Sequence, residues 1–181
     1  MKNKILVGLG VIVIAIAGYI AYGVLTSRSL SPLATTTYHY NGLDMKVVYC
    51  RPYKKGRLIF GEEKDKALRP FGKYWRLGAN DATEISFSKD INFAGQPVKA
   101  GTYRMYAVPN ANSWQISLNS ELGAYGATEP NYVLDVLKVD VPVETGPETE
   151  QFTIDFVSDS TGATMDFIWD KTLVRIPITI Q

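Results

Sequence analysis

The chain has 181 residues, 19 of them basic and 18 acidic, with a single cysteine (Cys50) and a single histidine (His39). One cysteine excludes a disulfide within the chain, and one Cys with one His excludes multi-Cys and His-rich zinc sites. Setting Lys2, Lys4 and Arg28 aside reduces the 19 basic residues to 16 against 18 acidic ones, a net charge near −2 that argues against a nucleic-acid partner.

Residues 5–25 read ILVGLGVIVIAIAGYIAYGVL, an unbroken apolar run. At 1.5 Å per residue this matches a hydrocarbon core of about 30 Å, so the run predicts a membrane-spanning helix. Ala15-Ile16-Ala17 offers a signal-peptidase site and hence the competing reading, cleavage and release. The run continues well past that site, beyond the roughly 7–15 residues of a signal core, and this favours an uncleaved anchor. Tyr19 and Tyr22 suit an interfacial aromatic belt. Lys2 and Lys4 precede the run and only Arg28 follows closely, so positive-inside bias predicts a cytoplasmic N-terminus and an exported remainder. No cysteine stands in the first turn after the run, so lipid anchoring has no acceptor there. The expected organisation is an anchor over residues 1–26, a tether over 27–35 and one β domain over 36–181.

Beyond the tether the periodicity is two. Residues 36–40 and 43–49 flank Asn41-Gly42, the preferred dipeptide of a type I′ hairpin. Further strands are predicted at 84–88, 103–108, 114–119, 136–141, 152–156, 165–169 and 174–180, with one helical turn within 131–138. Pro177 predicts an edge strand or a bulge. Asp170-Lys171 reads as a turn, and the acidic stretch 144–150 as a solvated loop. The pattern is all-β: an antiparallel β-sandwich, jelly-roll-like or an open barrel.

Residues 49–84 do not read as scaffold. They concentrate Arg51, Arg57, Arg69 and Arg76 among glycines and prolines, with Trp75 as a stacking face. Arginine forks suit planar anionic groups. Arg51 continues the inward parity of Tyr49, and Glu84 or Asp81 would supply the partner its charge needs. One reading is an Ω-like loop closing one end of the sandwich, pinned by arginine–carboxylate and arginine–carbonyl bonds. The other is a ligand pocket lined by Tyr49, Arg51, Arg57, Trp75, Arg76, Asn80 and Glu84.

The blocks YCRPxxKGRxIFG from Tyr49, LRPFGKxWRLGANDATEI from Leu68 and AGTYRMYAVP from Ala100, followed by Trp114, resemble the bacterial domain-of-unknown-function 2911 family. The resemblance runs from about Ser31 to the C-terminal strand. It implies an exported β-rich domain of Gram-negative bacteria, held here on the periplasmic side of the inner membrane, and supplies no catalytic assignment. Cys50 stands where the family pattern usually has Ser, Phe60 where it often has Trp, and residues 62–68 lengthen the gap between the first two blocks.

No catalytic signature is present. A Ser-His-Asp arrangement would have only His39 to use, and no G-x-S-x-G elbow occurs. The least excluded chemistry is carboxylate-dependent hydrolysis using Glu84 with Asp81 or Glu62. A calcium site from Asp155, Asp159 and Asp166 fits no EF-hand spacing, and neither a metal nor a cofactor is expected. The favoured expectation is a membrane-held binding module for an anionic ligand such as a glycan. The alternative is a structural or protein-interaction component of the envelope.

Overall fold

The computed structural model describes residues 2–158 and 162–181. An N-terminal helix, α1 (Lys2–Leu30), precedes β1 (Leu33–Tyr40), β2 (Leu43–Cys50), the short β3 (Phe60–Gly61) and β4 (Arg69–Pro70), and β5 (Thr83–Phe87). The chain continues through β6 (Ile91–Phe93), β7 (Gln96–Val98), β8 (Gly101–Pro109), β9 (Ser113–Asn119), β10 (Asp135–Ser158) and β11 (Ala163–Ile180). Within α1 the stretch Gly10–Leu30 is long and apolar enough to cross a membrane by length and composition. The helix continues through Leu30, so only Ser31 and Pro32 separate it from β1.

β1 and β2 form the hairpin that Asn41-Gly42 predicts. Both turn residues have positive φ, 47° and 73°, as a type I′ turn requires, and Tyr40 pairs with Leu43. The nine-stranded sheet runs β1-β2-β5-β8-β9-β10-β11-β6-β7, with every pairing antiparallel. It does not close into a barrel; β1 and β7 are its two ends.

The sheet folds into a sandwich because β10 belongs to both layers. Its first part, through Pro142, pairs with β9, and from Val143 onward it pairs with β11. Register shifts between Thr145 and Thr149, and again between Thr149 and Thr153, place extra β10 residues opposite β11. Such bulges bend a strand and increase its twist, which carries β10 from one layer to the other. Residues 144–150, expected as a solvated loop, are therefore bulged strand; their carboxylates remain in water while the backbone pairs.

The opposed parities of β11 have the same origin. Met165, Phe167 and Trp169 point inward, as do Val174, Ile176 and Ile178. One regular strand cannot present both sets on one face. Asp170, in the left-handed region at φ 55°, absorbs the change of parity within the strand, where the sequence suggested a turn. Pro177 is not on an edge strand, since β11 is flanked by β10 and β6. It stands at the end of the β6 ladder, where its carbonyl accepts from Ala94 N and no N–H is needed. The predicted helical turn is present as a 3-10 turn, Tyr132–Leu134, with the Asn131 side chain capping Val133 N.

The centre of the core is aromatic. Trp75, Trp114 and Trp169 are each 1% exposed and pack with Phe60, Phe152 and Phe167. Trp75 stacks on Trp169 at 5.8 Å between ring centroids and meets Trp114 edge-on at 5.5 Å. Such pairs add about 0.5–1.5 kcal/mol each beyond their burial. Trp75→Ala is expected to destabilise the protein by about 3–5 kcal/mol, read as a lowered urea midpoint for the full chain in neutral detergent.

Candidate functional site

Residues 51–82 cross one end of the sandwich and are held mainly by backbone bonds to strands on either side. Arg51 N donates to Pro32 O at 2.9 Å, and Phe152 N to Pro52 O at 2.9 Å. Gly72 N donates to Pro109 O at 2.9 Å, while Trp75 and Ala107 exchange both amide bonds at 2.8 Å. The return into β5 depends on Gly78. Its φ is 154°, and a Cβ there would meet Cys50 O at 2.6 Å, so no larger residue fits without moving backbone. Cys50 is buried beneath this crossing, and burial pushes its thiol pKa up, which leaves it protonated and unreactive.

The seven residues read from the sequence as a pocket are separated by this geometry. Tyr49 is buried, its hydroxyl donating to Ile154 O and accepting from Ile154 N across the sandwich. Trp75 is in the core, its Nε1 donating to Gly78 O at 3.0 Å. Arg51 is half-buried and binds neither Glu84 nor Asp81. Its Nε donates to Phe152 O and its Nη2 to Thr153 Oγ1, because β10 lies opposite it. Asp81 instead pairs with Arg28 on α1 at 3.3 Å, and Glu84 accepts from Gly123 N. Arg76 caps its own turn through Asn80 O.

Only Arg57 and Asn80 of the seven line a shared open space. It is a groove of about 620 Å³ between this segment and the last turns of α1, a volume ordinary for a ligand site. On the domain side its wall includes Tyr53, Lys55, Arg57, Leu68, Arg69 and Asn80. Three cations face it, and its lining contains no carboxylate. Asn80, at φ 56°, ties the groove to the helix: its Oδ1 accepts from Ser27 Oγ, and its Nδ2 lies 3.4 Å from Ser31 O.

Arg69 distinguishes this groove from the other arginine sites. Its guanidinium makes no hydrogen bond or ion pair among the described residues; its Nε is buried without a partner, as Arg104 Nε also is, and the group lies 5.8 Å from the centre of the Trp75 ring. Burial, then the charges of Arg76 and Arg57, pull its pKa down to about 10. The folded value lies below the unfolded one, so the charge disfavours folding at neutral pH, and that penalty lifts only as pH rises through about 10. Arg57 is exposed and gives two donors to its own turn, Nε to Lys54 O and Nη2 to Tyr53 O, which leaves three of its five N–H groups for a ligand.

A second buried arginine was not legible as anything but scaffold. Arg104 in β8 is 1% exposed, on the outer side of the sheet beneath residues 121–134. It donates to Tyr74 Oη at 2.7 Å and to Thr128 O, and pairs with Glu121 at 3.3 Å. Beside it Tyr106 donates to Asp135, which also accepts from Asn119. Arg104 Nε is left without a partner, but the rest of its guanidinium is bonded on both terminal nitrogens, and the network functions as structure. Among the described residues no group of three His, Cys, Asp or Glu side chains could hold a metal. Asp159, offered above as a calcium ligand, lies outside the described residues. His39 sits on β1, exposed, and contacts Asp44 at 2.6 Å.

Fold and site together define a sandwich-type β domain that carries a basic, carboxylate-free groove against an apolar N-terminal helix. The chain belongs to the family described as protein of unknown function DUF2911, whose model matches residues 31–178. No curated protein and no solved structure matches it.

The contrast between arginines is measurable. Arg51→Met and Arg104→Met are each expected to cost about 1.5–3 kcal/mol, since each leaves several partly buried acceptors without their charged donor. Arg69→Met is expected to leave the urea midpoint unchanged or raise it, as a residue held for binding rather than stability would.

Proposed function

We propose that the protein is a membrane-anchored binding module on the extracytoplasmic side, taking an anionic envelope ligand in the groove of Lys55, Arg57 and Arg69. The observation that carries this reading is Arg69 itself, a partly buried guanidinium with no hydrogen bond or ion pair among the described residues, in a groove lined by cations and no carboxylate. An anion there would receive charge-assisted bonds from arginine forks already in place and would offset the penalty of holding Arg69 desolvated. Of the sequence-level candidates, Arg57 and Asn80 contact the ligand, and Arg76 adds positive potential beside Arg69. Tyr49, Arg51, Trp75 and Glu84 act through the scaffold that holds these groups.

The anchor in this reading is α1, uncleaved, with its N-terminus in the cytoplasm and the β domain on the periplasmic face of a Gram-negative inner membrane. The lysines before the apolar run and the length of the helix support it. The intact mass of the membrane-bound protein is expected to begin at the initiator Met1; a mature chain starting at Gly18 would overturn the anchor.

One observation favours a second reading, a protein-interaction role in the envelope. Tyr132, Val133, Leu134 and Val136 form an exposed apolar run, with Val133 88% exposed. The two readings separate on charge. Calorimetric titration of the full chain in neutral detergent with inorganic pyrophosphate and with galacturonate oligomers is expected to show binding that Arg69→Met weakens about tenfold. If neither anion binds wild type, or if Arg69→Met binds equally well, the groove is not the site.

A further inference from the structure

Half of the groove wall belongs to the helix, and the position of that half along the helix identifies where its ligand resides. Tyr19, Tyr22, Gly23, Thr26, Ser27 and Leu30 line the side opposite the basic residues. The apolar run ends at Leu25, so Tyr19 lies six residues inside it, about 9 Å along the axis. A helix that spans the bilayer through residues 5–25 therefore places the upper groove, at Thr26 and Ser27, among the polar headgroups. The lower groove, at Tyr19 and Tyr22, then faces the outer ends of the acyl chains. The headgroup layer on each side is about 5–7 Å thick, so the groove extends through it and beyond.

The chemistry differs between the groove's walls. Lys55, Arg57 and Arg69 supply cationic donors, while Leu68, Tyr19 and Tyr22 supply apolar and aromatic surface. A soluble anion would use the first set and leave the second against open space. A molecule with a phosphate at one end and hydrocarbon at the other uses both.

Resting on the reading of the groove as an anion site, we infer that its occupant is an anionic phospholipid of the membrane that α1 enters, its phosphate held by Arg57, Arg69 and Lys55 and its chains lying along Tyr19 and Tyr22. The groove is far larger than a phosphate requires, which leaves room for the glycerol and the start of the chains. The basic character is local, since the chain beyond the helix carries net negative charge. The nearby Lys54 is occupied by Glu148 and Asp170, and Arg28 by Asp81, so neither competes for the lipid. Basic pockets beside membrane helices recognise lipid headgroups by this combination of charge and depth.

The test uses the full chain in vesicles of phosphatidylcholine with about one third phosphatidylglycerol, extracted gently so that retained lipids are weighed by native mass spectrometry. Wild type is expected to retain phosphatidylglycerol over phosphatidylcholine by about tenfold, relative to their abundance. Arg69→Met and Arg57→Gln should bring that ratio close to one, while Lys46→Gln, on an exposed position of β2, should leave it unchanged. Arg57 and Lys55 are exposed, so Arg57→Gln and Lys55→Gln keep the test decisive should Arg69→Met fail to fold. Soluble glycerol phosphate is titrated in parallel. If it binds and Arg69→Met abolishes that binding while wild type shows no lipid preference, the lipid is wrong and the anion site stands. If neither lipid nor glycerol phosphate is retained, both are wrong.

Discussion

Trp75 is carried into the middle of the sandwich by a segment with almost no regular structure of its own. Its ring packs against Trp169 and Trp114 from the two layers, and its backbone pairs with Ala107 of β8. Burying that side chain, together with the backbone bonds that tie residues 51–82 to the strands on either side, converts a long connection into a fixed wall. The neighbours of Trp75 inherit its rigidity. Arg69 lies over the ring, Arg76 follows it in sequence, and the turn at Gly78 closes against Cys50. A groove built on such a wall presents its charges in one arrangement before any ligand arrives, which reduces the ordering cost of binding.

The arginines divide by how they are satisfied. Arg51 and Arg104 donate into the backbone and side chains of neighbouring strands, and Arg175 pairs with Asp166 and Glu144. These are charges made useful to the fold. Arg69 holds a desolvated charge beside two others of the same sign, a local conflict that natural sequences retain chiefly where function requires it. The absence of carboxylates from the groove lining matters as much, since one glutamate there would neutralise the conflict and close the site to anions.

Much of the fold was legible. The Asn41-Gly42 hairpin, the alternation of β2 and the inward sets of β10 and β11 follow from local rules of turn chemistry and period. The continuity of β10 was not, because Gly146, Pro147 and a run of carboxylates carry loop composition even where the backbone pairs through bulges. At Asp170 a change of parity has two local solutions, a turn or a bulge, and tertiary pairing chose between them. In the site the residue types were legible and their partners were not. Arg51 and Arg57 sit in one short motif, yet the first faces β10 and the second faces the groove. Arg69, the most informative side chain, was visible only as one of four arginines. Its isolation is a property of which carboxylates the fold sends elsewhere, as it does Asp81 to Arg28.

The order in which the strands pair has a consequence for synthesis. β11 follows every other strand of the sheet in the chain, yet it supplies the partner for β6, near the middle, and for the second half of β10. Until β11 emerges the second layer has no centre, and the inner face formed by β2, β5, β8 and β9 lacks its cover. The emerging domain therefore exposes an apolar sheet until β11 pairs, and its core closes through contacts between distant parts of the chain.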